Sequence, residues 1–83
     1  MNLIRRRFKV SRIYVRVRCD QQSDGTVSPK ELIWPDGRSW EIRKTLHMAA
    51  PVEDEFEGIR YTVIIGSAER YIYKAGHDWY VMA

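Results

Sequence analysis

Arg12, Tyr14, Arg16 and Arg18 stand at every second position near the start of the chain. In a β-strand that spacing sends all four to one face, about 6.6 Å apart. Guanidinium groups interleaved with an aromatic ring can hold single-stranded nucleic acid: the cation meets phosphate and the ring stacks on a base. Arg5, Arg6, Arg7 and Lys9 precede them and could extend the contact as a phosphate-binding arm. If six of these seven charges met phosphates, affinity would fall with salt at a log–log slope of roughly −4 to −5. The competing reading is an exposed strand face whose arginines pair with Asp or Glu across the sheet. The segment that holds Glu53, Asp54, Glu55 and Glu57 is the natural counter-charge.

Other chemistry finds little support. A metal site needs several converging ligands, and Cys19, His47 and His77 are far apart with no ligand spacing. Cys19 falls on the apolar side of its segment, where a thiol is usually inert packing. His47 reads as solvent-facing and His77 as part of a turn, neither with an orienting partner. The acids at 53–57 read as a solvated loop rather than an acid–base pair. The five glycines stand singly, so no phosphate-cradling loop is present. These residues predict a non-enzyme without cofactor, metal or small-molecule substrate.

The elements that must carry these side chains are strands. Ile13, Val15, Val17 and Cys19 alternate with the basic set, which is the pattern of a strand with one buried face. Phe8 and Val10 fall on the opposite parity, so either a bulge near Ser11 resets the strand or a separate arm precedes it. Ser23-Asp24-Gly25 predicts a turn. A second strand follows over roughly residues 26–34, made irregular by Pro29. Pro35-Asp36-Gly37 is the strongest turn signal and predicts a tight hairpin. The third strand spans about 38–48, with Trp40, Ile42, Leu46 and Met48 on one parity, interrupted by Lys44. Residues 49–55 form a loop with room for a short helical turn. Further strands are expected over about 58–65, 69–74 and 79–82.

Short strands joined by tight turns predict an all-β fold: a six-stranded antiparallel meander bent into a small, partly open β-barrel. Barrels of the Src-homology-3-like or Tudor-like kind have this size. Residues 1–10 read as a basic N-terminal arm, free to be flexible, and residues 11–83 as one barrel domain. With 83 residues, 45% hydrophobic and 30% charged, the chain suits one small core, which excludes disorder and coiled coil. No apolar run reaches the ~18 residues of a membrane helix, and no signal peptide is evident. The single cysteine excludes an internal disulfide. Residues 1–18 carry a formal charge of +7 and the remainder −4, for a net +3.

Several elements carry a resemblance. They are Asp24-Gly25-x-x-x-Pro29, Trp34-x-Asp36-Gly37-Arg38-x-Trp40-x-Ile42, Arg60-Tyr61-Thr62-Val63 and Trp79-Tyr80-Val81. Over residues 11–82 the chain resembles a family of small uncharacterised proteins of Gram-positive bacteria, chiefly Firmicutes. The Trp-x-Asp-Gly-Arg hairpin is the most specific part. The resemblance implies a bacterial, cytoplasmic protein and brings no activity with it. The arginine-dense start and the acidic 53–57 segment depart from the family pattern.

The leading functional expectation is a small non-catalytic accessory module. It would contact a protein partner, or itself as a homodimer, through a sheet edge and exposed aromatics. Trp34, Trp40, Tyr71, Tyr73, Trp79 and Tyr80 are expected mainly in the core, and any left exposed would mark such a surface. The alternative is single-stranded nucleic-acid binding through Arg5, Arg6, Arg7, Arg12, Tyr14, Arg16 and Arg18.

Overall fold

The alternation of Ile13, Val15, Val17 and Cys19 forms the inner face of β1 (Arg12–Gln21) in the computed structural model, which describes residues 11–83. The expected basic arm, with Arg5, Arg6 and Arg7, lies outside the described residues, as do Phe8 and Val10. Five further strands follow: β2 (Val27–Ile33), β3 (Ser39–Ala49), β4 (Ile59–Ile65), β5 (Ala68–Ala75) and β6 (Asp78–Met82). All neighbours are antiparallel, and β1 pairs with both β2 and β6 to close a six-stranded barrel. The fold is thus all-β, with the strand number of a small Src-homology-3-like or Tudor-like barrel.

Two long strands make closure possible. The first half of β1 pairs with β6 through Arg12–Val15, and the second half with β2 through Arg16–Gln21. Likewise β3 pairs with β2 over Ser39–Glu41 and with β4 over Ile42–Ala49. Each therefore bends from one sheet into the other. In β3 an extra residue, Arg43, lies beside the switch, and such a bulge kinks a strand and raises its twist. In the β1–β2 pair the extra residue is on β2: Lys30 is inserted between Glu31, opposite Arg18, and Pro29, opposite Cys19, next to the residue that cannot donate to the ladder.

The two shifts in β3 revise the sequence expectation. Between Ile42 and Lys44, and again between Thr45 and His47, one residue is inserted relative to β4. Thr45 then faces inward opposite Val63, and Leu46 is displaced to an exposed position. The uniform parity expected for Trp40, Ile42, Leu46 and Met48 is broken for that reason. The buried Thr45 hydroxyl has no hydrogen-bond partner among the described residues.

Turn chemistry is local and matches the sequence. The Asp36 carboxylate accepts from the Arg38 backbone N–H at 3.0 Å and from its Nε at 2.8 Å. Gly37 takes the positive φ of +94° that the hairpin requires. Asp24 braces the earlier turn by accepting from the Thr26 N–H and hydroxyl.

The barrel interior is packed by Val15, Leu32, Ile42, Tyr61, Val63, Ile72, Trp79 and Val81. Tyr61 and Trp79 meet with ring centroids 5.1 Å apart. Burying each such side chain contributes about 1.5–3 kcal/mol relative to exposure. A second aromatic layer lies outside the barrel wall. Cross-strand pairing places Tyr14 beside Tyr80, Tyr80 beside Tyr73, and Tyr73 beside Arg60 in one row. Tyr73 and Tyr80 stack at 5.0 Å, with planes 8° apart. The 50–58 loop covers the row with Phe56, whose ring lies 5.2 Å from Tyr73. The loop bends without forming the short helical turn. Although its acids are exposed, its far end is anchored to the barrel.

Candidate functional site

The basic face of β1 is assembled as its alternation requires: Arg12, Tyr14, Arg16 and Arg18 are all exposed. Two of its cations have acidic partners. Arg12 donates to Glu57 at 2.9 Å and to the Tyr14 hydroxyl at 3.3 Å, and lies 4.4 Å above the Tyr80 ring. Those hydrogen bonds, to Glu57 first, hold its guanidinium still more firmly protonated. Arg18 donates to Glu31 at 3.2 Å and lies 3.6 Å from Asp20. The Glu31 carboxyl is held below its ordinary range by hydrogen bonds from Ser39 and then Arg18. Among the described residues, Arg16 is the member of this set without an ion pair. The expected counter-charge from the acidic segment thus reaches one arginine, through Glu57. Sheet neighbours neutralise another.

Cys19 is half-buried, and burial pushes its thiol above the ordinary value, away from the reactive thiolate. His47 sits opposite Thr62 on the outer side of β3, and His77 lies in the β5–β6 turn. Among the described residues, no three His, Cys, Asp or Glu side chains converge as metal ligands. No helix there is long and apolar enough to cross a membrane.

A different constellation lies at one mouth of the barrel. Antiparallel order brings the end of β2, the start of β3, the end of β4, the start of β5 and the end of β6 together there. A cleft of about 350 Å³ opens between them. Leu32, Ile72 and Val81 form its floor, and Trp34, Trp40 and Tyr71 its walls. The two indoles meet edge to face at 5.0 Å, and the Trp34 Nε1 is buried with no hydrogen-bond partner among the described residues. Both tryptophans are half-buried, and Tyr71 is 51% exposed.

Arg70 lines the rim and lies 6.0 Å above Trp40. Arg60 belongs to the outer-wall row, 4.5 Å from the Tyr71 ring and 5.2 Å from Phe56. Arg43 shares an adjoining hollow with Trp40 and Arg70 and donates to the Gly66 carbonyl at 3.0 Å. Neither Arg43 nor Arg70 has an ion pair among the described residues, and Glu41 and Glu69 lie beside them in equal number. Near Arg60 stands Glu55, whose carboxyl is held below its ordinary range first by the Glu53 backbone N–H and, less, by that arginine. Sequence reasoning assigned Trp34, Trp40 and Tyr71 mainly to the core and did not single out Arg43, Arg60 or Arg70. The available signal was positional. Trp34 and Trp40 flank one hairpin and therefore lie at a barrel end, where a small core cannot cover them.

Comparison with family models, with curated proteins and with solved structures finds no match to this chain.

Proposed function

We propose that this is a non-catalytic binding module that contacts a protein partner through the cleft at the barrel mouth. The observation that carries the reading is the cleft itself. It has an apolar floor, half-buried tryptophans and an exposed tyrosine beside Arg70 and Arg43, which have no ion pair among the described residues. Trp, Tyr and Arg are the residue types that dominate binding energy at protein interfaces. A concave apolar site with a few placed polar groups is the usual form of a recognition pocket.

Panning a random-peptide phage library against the full chain tests it. Enriched peptides are expected to bind the mouth, and Tyr71→Ala or Trp40→Ala should each weaken them by about tenfold or more. Leu46→Ala, exposed on β3 away from the cleft lining, should leave them unchanged. Failure to enrich any peptide, or peptides indifferent to both cleft variants, would refute the reading.

One observation favours nucleic acid as a second reading: Arg16, beside the exposed Tyr14, has no ion pair among the described residues. The ion pairs of Arg12 and Arg18 weigh against it. Fluorescence anisotropy with a labelled single strand separates the two. With Arg12 and Arg18 engaged by acids, binding at near-physiological salt should be absent. Micromolar binding that collapses with salt, and in the Arg16→Glu/Arg18→Glu variant, would install the second reading instead.

A further inference from the structure

We propose that the cleft takes an extended, uncharged segment of the partner, added as a strand between β5 and β6 with a large apolar side chain turned to the floor. This rests on the mouth being the partner-binding end and adds the chemistry of what binds.

The backbone supplies the first argument. On one side, β5 pairs with β4 from Ala68 opposite Ile65 to Lys74 opposite Ile59. On the other side it pairs with β6 only at Tyr73, Lys74 and Ala75. Beyond Tyr80, β6 continues along β1 through Val81 and Met82, so β5 and β6 part. Among the described residues, 69–72 of β5 and 81–82 of β6 therefore lack a strand partner on the sides that flank the gap, and both stretches line the cleft. An extended peptide completes such an edge by main-chain hydrogen bonds, while pockets for alternate side chains set its specificity. The Trp34 Nε1–H, buried without an acceptor among the described residues, is a further donor that a main-chain carbonyl can satisfy.

The two faces of the gap supply the second argument. Arg70 and Ile72 have the inward parity, opposite the buried Val63 and Tyr61, and Tyr71 has the outward one. On β6, Val81 belongs to the core, and Met82 takes the outward parity opposite Arg12. An added strand continues this alternation. Its inward residue lies on Leu32, Ile72 and Val81, an apolar floor on which burying a charge is costly. Its outward residues lie beside Tyr71 and Met82, both uncharged.

Charge supplies the third. Around the opening, cations and acids are matched among the described residues. Arg12 holds Glu57, Arg60 stands near Glu55, and Arg43 and Arg70 share the rim with Glu41 and Glu69. A charged flank would meet like and opposite charges together, so electrostatic complementarity selects neither sign. A nucleic-acid strand brings a phosphate at every step and no amide ladder, so the same balance and the same edge both disfavour it.

The test titrates short synthetic peptides into the full-length protein at near-physiological salt, with backbone amide shifts read at residues 69–72 and 81–82. The parent peptide has a Val-Trp-Val centre flanked by Gln. Four variants carry Asp flanks, Lys flanks, N-methylated central amides, or Glu in place of Trp. The parent should bind at these amides and move the Trp34 indole N–H. N-methylation and the Glu replacement should each weaken it about tenfold or more, and neither charged-flank peptide should bind more tightly than the parent. A charged-flank peptide that binds about tenfold more tightly, indifference to N-methylation, or tolerance of the central Glu overturns this proposal. So does a parent that fails to bind where phage peptides bind the cleft. In each case cleft-directed phage peptides still uphold the partner-binding reading. Amide exchange in the free protein addresses the other occupants. The amides of 69–72 that point away from β4 should exchange fast. Slow exchange in a dimer seen by sedimentation assigns the edge to a second copy, slow exchange in a monomer assigns it to the chain itself, and either overturns the proposal. A thymidine oligonucleotide that binds these amides more tightly than the parent peptide overturns it too. If no peptide of any composition binds, from the library or by design, both readings fall.

Discussion

Gly58→Ala should cost about 3 kcal/mol or more, a large fraction of the ~4–12 kcal/mol expected for a domain of this length. Two effects add. Gly58 has φ +89°, where a β-carbon is strained by about 1–2 kcal/mol. An added Cβ would also lie 2.1 Å from the Lys74 carbonyl oxygen and 2.9 Å from the Ala75 Cα. Both are backbone atoms of β5, so no side chain can swing aside, and overpacking of that kind costs about 1–3 kcal/mol. The glycine is needed where it stands. It carries the chain from the 50–58 loop into β4, directly across the edge of β5. Gly66→Ala is the control, because its φ is +64° but nothing lies within 4 Å of the added carbon. That variant should lose only about 1 kcal/mol. Urea unfolding of both reads the difference. Equal losses would mean that the close passage over Lys74 contributes nothing.

The alternation in β1 and the Pro35-Asp36-Gly37 hairpin were legible because their causes are local. Period-two patterning fixes a buried face, and Asp36 and Gly37 satisfy a turn within a few residues. The bulges of β3 were not legible. Arg43 and Leu46 become extra residues only relative to β4, which lies elsewhere in the chain. Charge pairing shows the same limit. Arg12 meets Glu57 across 45 positions and Arg18 meets Glu31 across 13, so the alternation could place the arginines but not name their partners. The cleft was hidden for a related reason. It exists because β6 follows β1 while β5 follows β4, and no local pattern records that divergence. Trp34, Trp40 and Tyr71 looked like core because most large aromatics are core. At the end of so small a barrel, too few layers remain to cover them.

The two aromatic groups of the barrel therefore have opposite fates. At the mouth the rings stay half-exposed beside Arg70 and Arg43. On the outer wall they are sealed by the 50–58 loop, which turns an outward-facing row into a second core. Tyr80 has the outward parity of a solvent residue, yet it is fully buried. What holds the loop over it is specific: the Glu57 N–H donates to the Tyr80 hydroxyl at 3.1 Å, and that hydroxyl donates to the Glu57 carbonyl at 2.7 Å.

Tyr80 variants separate these contributions. Tyr80→Phe keeps the stack with Tyr73 but leaves the Glu57 N–H and C=O without that partner, a loss of about 1–3 kcal/mol. Tyr80→Ala also removes the ring that Tyr14 and Tyr73 pack against and that Arg12 covers. The cavity left in place of a large aromatic costs about 3–5 kcal/mol, enough to unfold much of the population in a domain this small. Chemical denaturation measures both losses, and amide exchange at Glu57 locates the first. Faster exchange there in Tyr80→Phe, with β1–β6 protection kept, is the expected result, because the hydroxyl ties the loop and not the sheet. If Phe were as stable as Tyr, the two hydrogen bonds would be replaced by water at no cost. The loop would then be held by Phe56 and the Arg12–Glu57 pair alone.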